Sequence, residues 1–116
     1  MALKHIKTAE LPWTPPGGEF TGQFSAWTSK NLHEETEGVS VSMWKLAAGG
    51  SDHMHQHDDA EEHIYVLSGE FECNGVTYKA GDYIFRPVGV PHQSSSRNGA
   101  ETLLVYVKKP PAKSPA

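Results

Sequence analysis

The sequence predicts an all-β fold of short antiparallel strands, and three observations carry that prediction. Short segments rich in β-branched and aromatic residues recur along the chain. Eleven glycines and eight prolines punctuate them, and no stretch keeps the apolar period of a long helix. Between two of the segments lies Asn74-Gly75, the strongest short hairpin signal, because both central positions of a type I′ turn need positive φ.

Val39–Leu46 (VSVSMWKL) alternates at its start and reads as a strand. Glu62–Leu67 (EHIYVL) and Glu70–Cys73 (EFEC) read as two more, with Ser68-Gly69 as a tight turn between them. Val76–Lys79 returns from the Asn-Gly turn, Ala80-Gly81-Asp82 turns again, and Tyr83–Arg86 (YIFR) follows. After the loop PVGVP come His92–Ser95 and a last strand, Thr102–Lys108. Strands at this spacing without intervening helices indicate a sandwich or barrel over residues 21–108. Residues 1–20, ending in TPPGGEF, read as an arm that either dangles or adds a strand to a partner. Residues 109–116, rich in Pro, Lys and Ala, read as a disordered tail.

Composition narrows the function classes. A chain of 116 residues supports one domain with one modest core. Its net charge of −4, without a basic stripe, speaks against nucleic-acid binding. No apolar run has the length of a membrane span, and the N-terminus lacks the apolar centre of a secretory signal. With a lone cysteine, Cys73, these features point to a cytoplasmic protein.

Chemistry concentrates in Ser51–Glu70, SDHMHQHDDAEEHIYVLSGE, which holds four of the seven histidines. Residues two apart on an extended strand face the same side, so an H-x-H pair presents two imidazoles to one ion. A carboxylate from the next strand can add a third ligand, and such a set suits Zn, Fe, Ni, Cu or Mn. Two registers compete, His53 with His55 and His55 with His57. A polar surface loop carries one H-x-H as readily as a metal site does.

The wider spacing resembles the cupin family. Its first motif, G-x5-H-x-H-x4-E-x6-G, is matched by Gly49, His55, His57, Glu62 and Gly69. Its second, G-x5-P-x-G-x2-H-x3-N, is matched by Gly81, Pro87, Gly89 and His92, with Ser96 in place of the Asn. The resemblance implies a double-stranded β-helix, or jelly-roll barrel. It also implies one divalent transition metal per chain, Fe, Zn, Mn, Ni or Cu, held by His55, His57, Glu62 and His92. His53 stands as the reserve ligand, and His5, His33 and His63 read as surface residues. The remaining acids of the stretch, Asp52, Asp58, Asp59, Glu61 and Glu70, read as a polar rim.

A three-histidine, one-carboxylate set leaves coordination positions open, as a catalytic site requires. The resemblance implies a small-molecule substrate and a dioxygenase-like activity, with an isomerase, cyclase or lyase, or a non-enzymatic binding module, as alternatives. Glu62 is a candidate acid/base as well as a ligand. Trp27, Met43, Trp44, Tyr83, Phe85, Arg86 and Tyr106 are candidates for the pocket wall, about half of them expected to be core. The resemblance also implies a homodimer, with the arm or an apolar barrel face as the expected contact.

Overall fold

The computed structural model describes residues 2–15 and 26–109. Among these, a 3-10 turn at Thr8–Glu10 precedes seven strands: β1 Trp27–His33, β2 Val39–Leu46, β3 Ala60–Cys73, β4 Val76–Lys79, β5 Tyr83–Arg86, β6 Ser94–Ser95 and β7 Ala100–Lys108. All pair antiparallel, in the order β1-β2-β7-β3-β4, with β5 and β6 also on β3. No described helix is long and apolar enough to cross a membrane.

β3 organises the barrel. Its first half pairs with β5 and β7, its second with β4 and β6. The expected break at Ser68-Gly69 does not occur, and one 14-residue strand replaces the two read from sequence. Gly69 does have positive φ (75°), but as part of an irregularity: the register against β7 shifts between Val66 and Ser68. A Cβ on Gly69 would lie 2.1 Å from the Gly99 carbonyl oxygen. The glycine thus bends the strand and admits a close crossing of backbone without reversing the chain. The true reversal is at Asn74 (φ 49°) and Gly75 (φ 82°), as the hairpin signal predicts.

β2, β4 and β5 take their expected bounds. His92–Ser95 shortens to Ser94–Ser95, and β7 starts two residues early, at Ala100. The sequence reading missed β1, because WTSKNLH shows no apolar alternation; its strand form comes from pairing with β2. Residues 2–15 lie along their own barrel. Thr14 bridges Ser29, and Lys30 Nζ donates to the Thr8 carbonyl at 2.8 Å while sitting 4.5 Å over the Trp13 ring. That contact covers the outer edge of β1, which would otherwise offer unpaired backbone groups. Most of TPPGGEF and residues 110–116 of the expected tail lie outside the described residues. Lys109 donates its backbone N–H to Asp59 at 2.6 Å.

The core is formed by Trp27, Leu46, Ile64, Val66, Phe71, Cys73, Ile84 and Ala100. Trp27 meets Trp44 edge to face at 5.7 Å. Cross-strand register then orders the inward rows. Leu46 pairs with Ala100, Trp44 with Thr102 and Val66, Ser42 with Leu104 and Ile64, and Ser40 with Tyr106 and Glu62. The barrel lining therefore changes from apolar to polar along its length, and the histidines arrive at the polar end.

Candidate metal centre

Two backbone segments deliver the histidines. Gly50–His55 runs antiparallel to His92–Ser96, with His55 N–H on the His92 carbonyl (2.9 Å) and His92 N–H on the His55 carbonyl (2.7 Å). The H-x-H pair was expected on a regular strand; the structure has only isolated bridges there, Ser51–Ser95 and His55–His92. Gly89 N–H donates to the His57 carbonyl at 2.8 Å, tying the proline loop to the second histidine. Ser96 is buried and its hydroxyl donates to the Glu70 carbonyl at 2.6 Å. It anchors the end of this segment to β3, at the position where the cupin pattern has Asn.

Ring nitrogens of His55, His57 and His92 all lie within 4.8 Å of one another. His55 Nδ1 faces the His53 carbonyl at 2.7 Å and His92 Nδ1 faces the Val90 carbonyl at 3.2 Å. A carbonyl oxygen only accepts, so each Nδ1 carries a proton, the tautomer in which Nε2 is the nitrogen that faces a cation. The two Nε2 atoms are 3.1 Å apart. Two nitrogens at about 2.1 Å from one ion, at right angles, would be separated by about 3.0 Å, so the pair fits a shared metal. Burial, reinforced by the Arg86 charge, holds the His92 pKa down at about 3, which keeps that lone pair available.

Glu62 stands beside this group. It lies on β3 between Arg86 of β5 and Tyr106 of β7. Its Oε1 is 3.3 Å from His92 Nε2, 3.5 Å from His57 Nε2 and 3.6 Å from Arg86 Nη1, yet makes no hydrogen bond. A buried carboxylate oxygen without a donor is costly, and a cation between it and the imidazoles removes the cost. The residues present thus fit a metal, with three histidines clustered and Glu62 in reach of two of them.

The other histidines lie elsewhere. The His53 ring is outside the group, although its carbonyl orients His55. His33 pairs with Glu35 at 3.0 Å, and His63 contacts Tyr83 and Glu61 on the outer face.

A cavity of about 320 Å³ opens onto His55 and His57 of the cluster. Trp27, Trp44, Tyr106 and Arg86 line it; Met43, Tyr83 and Phe85 do not. Strand parity explains the difference. Ile84 and Arg86 point inward on β5, which turns Tyr83 and Phe85 to solvent, and Trp44 faces in on β2, which turns Met43 out. Arg86 is 8% exposed, and its Nη2 donates to Ser94 Oγ at 2.7 Å and Cys73 Sγ at 3.2 Å. Asp52 departs from the polar rim. It is buried on the cavity wall and accepts the Ser94 N–H at 2.6 Å. Burial pushes its carboxyl above the ordinary value, and the Ser94 hydrogen bond offsets part of that. Sequence reasoning missed Ser40, Ser42, Ile64, Thr102 and Leu104 on the same wall. Counting by two from Glu62 would have found Ile64; the others need the cross-strand register.

Comparison with known proteins places the chain as follows. A family model described as the ChrR cupin-like domain matches residues 2–112. No curated protein matches the sequence. Similar solved structures include a predicted oxalate decarboxylase from Thermotoga maritima, at 24% identity, 90% of this chain, 99% of that chain and a TM-score of 0.76. An RmlC-like cupin from Shewanella frigidimarina is similar at 21% identity over 97% of this chain and 94% of that one, with a TM-score of 0.74. The polyketide cyclase RemF from Streptomyces resistomycificus is similar at 20% identity over 94% and 83%, with a TM-score of 0.77. At these identities the three structures speak for the jelly-roll fold alone.

Proposed function

The chain belongs to the ChrR cupin-like domain family, and from that premise we propose that it is a mononuclear metal enzyme of the non-haem dioxygenase type, acting on a small organic substrate. The observation that carries the reading is the convergence of three imidazoles, two of them on the wall of one largely apolar cavity. His55, His57 and His92 would hold one divalent transition metal, with Glu62 as a further ligand or as its neighbour. Such an ion supplies Lewis acidity and, when redox-active, dioxygen chemistry. Three imidazole donors and no thiolate leave room for substrate, unlike a closed structural site.

The chain's own residues supply the rest. Trp27, Trp44, Phe71 and Leu104 exclude water from the cavity and select an apolar body. Glu62 Oε1, buried and without a donor, can take a proton from a substrate carbon or hydroxyl held next to the cluster. Arg86 and Tyr106 flank it across the sheet.

That same carboxylate favours one second reading, a metal-dependent isomerase, cyclase or lyase, in which proton transfer by Glu62 is the whole reaction. A non-enzymatic ligand-binding module is the third. Elemental analysis of protein purified without added metal, followed by oxygen-uptake assays over a substrate panel, separates them. Iron with substrate-dependent uptake supports the oxygenase. Zinc with no uptake across the panel rejects it, and turnover without oxygen then selects the second reading.

A further inference from the structure

Arg86 is a buried charge with a loose counterpart, the Glu62 carboxylate at 3.6 Å. A guanidinium has five N–H donors. Here Nη2 is the nitrogen that hydrogen-bonds, to Ser94 Oγ at 2.7 Å and Cys73 Sγ at 3.2 Å. Nη1 is 3.6 Å from the Glu62 carboxylate, beyond a charge-assisted hydrogen bond, and Nε has no partner. The group is buried over the Phe71 ring, 5.5 Å from its centroid, and lines the cavity. Burying a cation this way is expensive unless something completes it. Glu62 is a poor candidate for that role, because its Oε1 is shared among Arg86 and two histidines and bonds to none of them.

The acidic and basic side chains on the wall, histidine apart, are two carboxylates, Asp52 and Glu62, and one guanidinium. Arg86 is thus the cation among the lining residues that an entering anion meets whether or not a metal is bound. The remaining surface is mostly aromatic and aliphatic: Trp27, Trp44, Ile64, Phe71 and Leu104.

We propose that Arg86 determines specificity by binding an oxyanion on the substrate, so that the cavity selects a small organic anion with an apolar body, of the size of an aromatic carboxylate. The inference rests on this cavity being the substrate site of the metal enzyme proposed above. Arg86 acts by contact with the anion. It also explains why a guanidinium stands on the inner face of a strand whose other inward residue is Ile84.

The probes are benzoate and its neutral isostere benzamide, titrated by calorimetry and by quenching of the cavity tryptophans. The titrations use zinc-loaded protein, metal-stripped protein and the variants Arg86→Met and Arg86→Lys. Benzoate is expected to bind the loaded protein roughly tenfold or more tightly than benzamide, the scale of a hydrogen bond to a charged group. The preference should persist in part after metal removal, shrink in Arg86→Lys and vanish in Arg86→Met. Equal binding of the two probes, or no binding of benzoate, overturns the proposal even if Arg86→Met fails to fold. A preference that survives Arg86→Met but disappears with the metal also overturns it: the anion then sits on the metal and Arg86 only steadies Glu62, while the metal reading stands. If the purified chain binds no metal yet shows the Arg86-dependent preference, the metal reading fails and the anion site remains.

Discussion

The two faces of one sheet, β2-β7-β3-β5, depart from the usual roles at one end of the barrel. Inward, one row reads Ser40, Tyr106, Glu62, Arg86. Outward, the rows read Met43, Leu103, Tyr65, Tyr83 and Val41, Val105, His63, Phe85. A sheet that only needed stability would place the apolar rows inside. Here the interior has been given to polar chemistry over part of its length. The packing that holds the barrel is confined to the neighbouring apolar rows, around Leu46, Val66 and Phe71. The outer face, with Tyr65, Tyr83 and Phe85 each at least 46% exposed, carries the apolar surface that the interior does not.

The strongest way to break the inner half of this comparison is to remove its imidazoles. His55→Ala together with His92→Ala should abolish metal retention, measured by elemental analysis, with the barrel still folded by circular dichroism. Retained metal would show that the donors lie elsewhere. Next in size is the core itself. Leu46→Ala should cost about 2–5 kcal/mol in denaturant unfolding, since the side chain is fully buried. Tyr83→Ala, on the exposed outer face, should cost well under half as much in a monomer. Gly69→Ala tests the bend that divides β3 between its pairings. The added carbon meets the Gly99 carbonyl and the backbone has positive φ, so a loss of roughly 1–3 kcal/mol is expected.

The outer face has its own test. Two such rows across four strands make an apolar patch on the order of 300 Å², large enough to mark a contact surface. A second copy of the chain is the occupant we expect, because an isologous contact about a two-fold axis lets one apolar patch cover its own copy. Phe85→Glu with Tyr65→Glu should convert a dimer seen by light scattering into a monomer without changing metal content. A wild-type chain that stays monomeric over a wide concentration range removes this expectation.

The smallest effect concerns Asp52. Its folded pKa is raised, by burial first, so its contribution to stability is present below the ordinary carboxylate range and is lost as pH rises through the folded value. Asp52→Asn should therefore gain stability relative to wild type between mildly acidic and neutral pH, read from melting temperatures across that range. A constant difference would refute the assignment.

Legibility in the sequence followed the physics of each signal. Turns were legible because Asn74-Gly75 states its own backbone geometry. Glu62 and the three clustered histidines were legible because their spacing to Gly49, Gly69 and Gly81 is a fixed pattern. β1 was not, since WTSKNLH carries no period and depends on its partner. The pocket wall was half legible for a similar reason: aromatic character marked Trp27, Trp44 and Tyr106 but also Tyr83 and Phe85, and only strand parity tells the inward ones from the outward ones. Arg86 was named for the wall, and the same parity, shared with Ile84, accounts for its burial. Asp52 was hidden by its acidic neighbours, because composition does not reveal which acid meets the Ser94 amide.

The mutual backbone hydrogen bonds of His55 and His92 have a consequence for how an ion enters and leaves. The two segments are ordered by each other, so little chain entropy is lost when a cation arrives. A chelator should then empty the site while the barrel stays folded, in contrast to small zinc domains that unfold on metal loss. Amide hydrogens of both residues should exchange slowly in the stripped protein, and reloading should be a fast, reversible step without refolding.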